Sequence, residues 1–121
     1  MILEEIFLDG IYPLERVPFL PDQIVDCGAC AGFFSLLAHG RFPAAPLHLF
    51  EPVPGNVAKT RANLALNGIA ARVHAVAVGE RNETARFSGG GFGGHLAARG
   101  ESGDIEVRVM DLVAYLSELR P

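Results

Sequence analysis

No run of this sequence approaches the roughly twenty apolar residues that a bilayer-spanning helix needs. Positive charge is also in short supply. Ten Lys and Arg against fourteen Asp and Glu leave a net charge of −4, so there is no general electrostatic attraction to nucleic acid or to an anionic membrane. The start, Met1-Ile2-Leu3-Glu4-Glu5, lacks the basic residues and apolar stretch of a secretion signal, and a cytoplasmic location is expected. Cysteine is scarce, with Cys27 and Cys30 the whole complement. Two cysteines so close together are not the framework of a secreted mini-protein, and a structural zinc would need a second pair of ligands. The histidines at 39, 48, 74 and 95 are scattered. No metal is expected, and both thiols are expected to be reduced.

What is present suffices for a folded domain. Half of the 121 residues are apolar and a fifth are charged, which predicts one soluble globular domain over 1–121 with a single core. Residues 1–23 read as an irregular opening segment, where Ile6, Phe7, Leu8 and Ile11 suit a short strand and Pro13, Pro18 and Pro21 exclude a long helix. A strand is predicted at 23–27, a helix at 32–40 ended by Gly40 and Pro43, and a strand at 47–50 ending at Glu51. Pro52 and Pro54 stop that strand and open a helix at 54–66, which Asn67-Gly68 closes. The almost continuous apolar run from Arg72 to Val78 predicts a third strand covered on both faces. Strand, helix, strand, helix, strand is the order of a parallel sheet with right-handed crossovers.

After Gly79 the pattern changes. Residues 84–87 suit a short strand, and 88–94 are a glycine-rich loop. Ile105, Val107 and Val109 alternate with Glu106 and Arg108, which predicts an antiparallel strand with one solvated face. Asp111 then caps a helix with Leu112, Tyr115, Leu116 and Leu119 on one side.

The stretch Ile24-Val25-Asp26-Cys27-Gly28-Ala29-Cys30-Ala31-Gly32-Phe33 is where the chemistry collects. Its glycines allow a tight turn and the close approach of backbone to a ligand, and the next helix aims its positive end at the same space. Three features fall at the C-terminal ends of successive parallel strands, the edge at which open sheets bind ligands. They are the turn with Asp26, Gly28, Ala29, Cys30 and Gly32, then Glu51 with Pro52, and then Val76 and Ala77. An acidic residue ending the second strand suits two ribose hydroxyls, and small apolar residues on the third suit an adenine ring. The turn spaces its glycines as Gly-x-x-x-Gly, without the pattern that grips a pyrophosphate, which disfavours NAD and FAD. Ribose, adenine and a zwitterionic tail without phosphate describe S-adenosylmethionine.

These motifs resemble those of class I methyltransferases and, more narrowly, the FkbM-like family. The turn resembles that family's Asp-x-Gly-Ala-Asn-x-Gly-x-Phe-Ser, and Phe50-Glu51-Pro52-Val53-Pro54-Gly55-Asn56 resembles its ribose-binding motif. Arg61 to Gly68 looks like its Leu-x-x-Asn-x-x-Leu-Asn-Gly helix end. Ala75-Val76-Ala77-Val78-Gly79-Glu80 and Val107 to Leu112 follow in the family's order. The resemblance implies an α/β Rossmann-like fold, of which this chain holds the N-terminal half: three parallel strands plus an antiparallel C-terminal strand. It also implies S-adenosylmethionine as cofactor, and O-methyl transfer to a hydroxyl of a small molecule or sugar. Cys30 stands where the family has Asn. The chain stops where the family continues into a Lys-x-Asp-x-Glu-Gly strand, so the later strands are expected to be missing.

Two other readings stay open on the residues alone. One is a non-catalytic half-Rossmann fragment that binds nucleoside or self-assembles. The other is a thioredoxin-like Cys-x-x-Cys between strand and helix, whose thiol a helix N-terminus would activate. That second reading leaves Asp26 and Glu51 unexplained. No catalytic base is assigned. His95 is weighed against a plain loop histidine, His48 reads as a satisfied core or edge histidine, and Lys59 and Arg61 as a solvated helix face. The first strand has a sequence neighbour on one side only. Its other edge is expected to be covered by the 105–109 segment or, the favoured outcome, by a second copy in a homodimer.

Overall fold

The structure is a computed structural model that describes residues 13–88, 95–96 and 105–119. The short strand expected from Ile6 to Ile11 and most of the glycine-rich loop lie outside the described residues. Among the described residues before the sheet, the prolines leave a single 3₁₀ turn, Leu14–Arg16.

Three strands, β1 (Ile24–Cys27), β2 (Leu47–Phe50) and β3 (Arg72–His74), form a parallel sheet in that order. The registers Ile24↔Leu47 and His48↔Arg72 align them. Helix α1 (Phe33–Arg41) makes the first crossover and α2 (Pro54–Leu66) the second. Pro54 occupies the first turn of α2, where a missing N–H costs nothing. At the other end Gly68 N–H reaches Ala65 O and Ile69 N–H reaches Leu64 O, the paired bonds of a Schellman cap. Ile69 and Leu64 also meet in the core, so the cap is bonded and packed at once.

The third strand departs from its predicted span. Residues 72–78 are one almost continuous apolar run in sequence but two strands in space. The last rung to β2 is Glu51 N–H to His74 O at 3.0 Å. Beyond it β2 enters Pro52, which has no N–H to offer, and nothing on that side can continue the ladder. The chain bends at 75–76 and resumes as β4 (Ala77–Gly79) in a second sheet. That sheet also holds β5 (Glu83–Ser88), β6 (His95–Leu96) and β7 (Ile105–Asp111), in the order β4-β7-β5-β6. β7 shows the expected alternation, with Val107 and Val109 buried and Glu106 and Arg108 exposed. It runs antiparallel to β5, as expected, and parallel to β4 on its other edge. It does not fold back on β1, which among the described residues pairs with β2 alone.

Each sheet has its own apolar cluster. Leu47 and Leu49 of β2 pack with Ala29 and Leu64, flanked by Ile24, Leu36 and Val73. Ala77, Val107 and Val109 form the second cluster, with Val53, Ala85 and Ile105 against it. The last helix, α3 (Leu112–Glu118), starts with the Asp111 carboxylate accepting Ala114 N–H at 3.0 Å, as predicted. Its Tyr115 reaches the other face of the three-stranded sheet, among His48, Phe50 and His74. No helix among the described residues is long and apolar enough to cross a membrane.

Candidate functional site

The turn after β1 takes three left-handed residues to reverse direction. Gly28 has φ +76°, Cys30 +54° and Gly32 +85°. Gly32 is required twice over, since a Cβ there would sit 3.3 Å from Thr60 Cγ2 of α2. Gly28 faces open space, where an added Cβ would meet nothing within 4 Å. Cys30 is the exception, a side chain held in a conformation that disfavours anything but Gly, Asn or Asp.

Neighbouring elements hold this turn by its backbone. Phe50 O, at the end of β2, accepts both Gly28 N–H at 2.8 Å and Ala29 N–H at 3.0 Å. Thr60 Oγ1 donates to Cys30 O, and Asn63 Nδ2 donates to Ala31 O, each at 2.7 Å. Gly32 N–H bonds Ala29 O at 2.8 Å. The N–H groups of residues 28, 29, 30 and 32 are therefore engaged inside the protein. What the glycines leave for a ligand is chiefly the bare Cα surface at Gly28.

Glu51 closes the corner. Its Oε1 accepts Cys30 N–H at 2.9 Å and its Oε2 accepts Val53 N–H at 2.7 Å, with 3% of the residue exposed. Turn and second motif, 21 residues apart, are thus joined directly. A carboxylate has about four lone-pair positions; two are used here and two remain. Asp26 precedes the turn at the end of β1. It is buried, and Ser35 Oγ of α1 donates to its Oδ2 at 2.7 Å. Burial raises its pKa, the Ser35 bond opposes that rise, and the nearby Glu51 charge adds to it.

The two thiols are free and pushed upward, by burial first, and then by Asp26 for Cys27 and by Glu51 and Asp26 for Cys30. This is the reverse of the activation expected of a helix-terminal redox cysteine. Burial, and after it the neighbouring carboxylates, disfavour the thiolate form. Among the described residues, no group of three or more His, Cys, Asp or Glu is placed to hold a metal.

The remaining predicted residues are divided. Pro52 follows Glu51 and is half-buried. Val76 is half-buried at the bend, while Ala77 is 6% exposed and belongs to the second cluster under Val107 and Val109. The structure thus joins Gly28, Ala29, Cys30, Gly32 and Glu51 in one bonded corner, ties Asp26 to Ser35 of α1, and turns Ala77 into the second core. His95 lies in β6, its side chain outside the described residues. His48 is a satisfied buried histidine, as read from sequence, and Lys59 and Arg61 are exposed. Thr60 and Asn63 were not singled out as site residues. Their spacing of three on one face of a helix was the available signal.

Comparison with known proteins finds methyltransferases among the chain's relatives. The chain is 36% identical over 88 residues to 31-O-demethyl-FK506 methyltransferase FkbM of Streptomyces tacrolimicus, covering 72% of this chain and 34% of that protein. It is 40% identical over 78 residues to methyltransferase sdnD of Sordaria araneosa, covering 64% of this chain and 30% of that one. A shorter match, 38% over 64 residues, is to the AMB antimetabolite synthetase AmbE of Pseudomonas aeruginosa, covering 52% of this chain and 3% of that protein. No family model and no solved structure matches. The chain spans about a third of the length of the two methyltransferases. Over the part of them that it spans, this chain is similar to FkbM-like methyltransferases.

Proposed function

We propose that the chain carries the cofactor-binding part of an S-adenosylmethionine-dependent methyltransferase acting on a hydroxyl of a small molecule or sugar. The observation that carries this reading is the bonded corner of Gly28, Cys30 and Glu51 at the C-terminal ends of two adjacent parallel strands. The donor set fits the cofactor. Glu51 has two lone-pair positions left for ribose hydroxyls, Gly28 presents an uncrowded surface for the amino-acid end, and Val76 offers a small apolar edge for the base. When bound, the cofactor supplies an electrophilic methyl group for in-line transfer to the acceptor oxygen. The protein's own part is to hold the reactants in near-attack geometry. Oxygen as acceptor is supported by the relative named for a 31-O-demethyl substrate.

The rival reading, a fragment that binds nucleoside without catalysis or only self-associates, draws on the span of about a third of those relatives and on the second edge of β1, which is unpaired among the described residues. Titration calorimetry with S-adenosylhomocysteine tests the binding that the first reading requires. Glu51→Ala is expected to weaken it by about 1.5–3 kcal/mol, the range for hydrogen bonds to a charged group. An unchanged affinity sinks the ribose assignment, and no binding to the parent chain sinks the reading itself. Binding without methyl transfer to any supplied hydroxyl favours the rival.

A further inference from the structure

We propose that Tyr115, gripped between His48 and His74, is an acid-sensitive latch that seats α3 on the sheet face behind the candidate cofactor corner. The latch is a chain of hydrogen bonds. Gln23 Oε1 lies 2.6 Å from His48 Nε2, His48 Nδ1 lies 2.8 Å from Tyr115 Oη, and Tyr115 Oη lies 3.0 Å from His74 Nε2. The Gln23 oxygen accepts, so His48 carries its proton on Nε2 and offers Nδ1 as an acceptor. Tyr115 then donates to His48 and accepts from His74. All four groups are satisfied with both imidazoles neutral.

The chain tolerates protons poorly. One extra proton places a cation on a buried ring beside Arg72, which stands opposite His48 in the register. That proton, added at His48 Nδ1, turns both facing ring nitrogens into donors aimed at the same hydroxyl, whose own proton then has no acceptor in the latch. The groups around the pair are Arg72 on β3, Tyr115 and Glu118 on α3, and Gln23 before β1. A hollow of about 510 Å³ at the N-terminal ends of the strands, lined by Gln23, His48, Arg72 and Glu118 among others, gives protons a way in. Burial lowers the pKa of both histidines, with Arg72 adding to the effect. The seated form therefore binds fewer protons than the unseated one. Its advantage is complete above the ordinary histidine value of 6.5 and declines as the pH falls through the lowered values.

The seat depends on this residue. α3 has no fully buried side chain, and among the described residues the hydrogen bonds that tie it to the three-stranded sheet all run through Tyr115. The same ring meets Phe50 edge-on, and His74 stacks on Phe50 at 4.7 Å. Phe50 O is the acceptor that holds Gly28 and Ala29. Release of α3 loosens the support of the corner from behind.

Native-state hydrogen exchange of the whole chain, corrected for intrinsic rates, tests this from pH 8 to pH 5. The α3 amides are expected to lose protection below pH 6.5 by up to about tenfold per pH unit for each histidine, while β2 amides hold. A variant with His48→Asn and His74→Gln keeps acceptors and removes both titrations, and its α3 protection is expected to be flat with pH. Equal α3 protection at pH 8 and pH 5 in the parent chain overturns the latch, as does an unaltered pH profile in the double variant. Should that variant not fold, the histidine ring resonances of the parent decide. The latch requires two of them to titrate together, below the others and in step with α3 exchange, and independent titration overturns it.

Discussion

Leu47 and Leu49 leave β2 on one side of the sheet, and His48 and Phe50 leave it on the other, with all four buried. On the leucine side, α1 and α2 close over side chains that need no partner. There stability comes from area removed from water and from close packing. On the histidine side each buried polar atom has to find a specific partner, and Tyr115 and Gln23 supply them. The first kind of face resists pH and tolerates similar shapes. The second is specific, and it changes with the proton count.

Truncating Leu49, which is fully buried, should have the largest effect. Leu49→Ala is expected to cost about 2–5 kcal/mol, the range for large-to-small core changes, in urea unfolding monitored by circular dichroism. Tyr115→Phe on the opposite face keeps the ring and leaves His48 Nδ1 and His74 Nε2 without their partner. It should cost about 1–3 kcal/mol, with the loss concentrated in α3 rather than spread over the sheet. If both substitutions reduce stability equally everywhere, the two faces do not differ in the way described.

Smaller effects sharpen the contrast through pH. Burial raises Asp26 on the leucine side, so its folded-state pKa exceeds the unfolded one and its contribution is fully present below 3.8 and lost as the pH rises through the raised value. The histidines run the other way, their contribution present above 6.5 and lost as the pH falls. Asp26→Asn should therefore flatten the acid side of the stability curve while leaving the histidine window in place, as measured by melting temperature against pH. The smallest effect expected is a gain. Cys30→Gly relieves a side chain at φ +54° and should raise stability by about 0.5–1 kcal/mol, since the strain removed slightly exceeds the chain entropy added. A loss there would mean that the Cys30 side chain contributes packing that outweighs its backbone strain.

Local and periodic features were legible in the sequence. The strand–helix alternation, the Gly-rich turn, Pro54 at the start of α2, the Asp111 cap and the one-sided strand at 105–109 all depend on residues within a few positions of one another, and all appear where expected. So did the meeting of the turn with Glu51, because parallel strands bring their C-terminal ends together whatever the details. The tertiary structure alone decided the rest. Apart from Arg72 and His74, residues 72–78 are apolar, and the loss of a partner at Pro52 divides them into β3 and β4. The turn's N–H groups are engaged because Phe50 O and Glu51 arrive to accept them, and its carbonyls because Thr60 and Asn63 arrive to donate to them. Tyr115 lies 67 residues from His48 and 41 from His74, and no local pattern links them. Their meeting follows from where the second sheet sets down α3, and a hydrogen bond between side chains that far apart is specified only once the chain has folded.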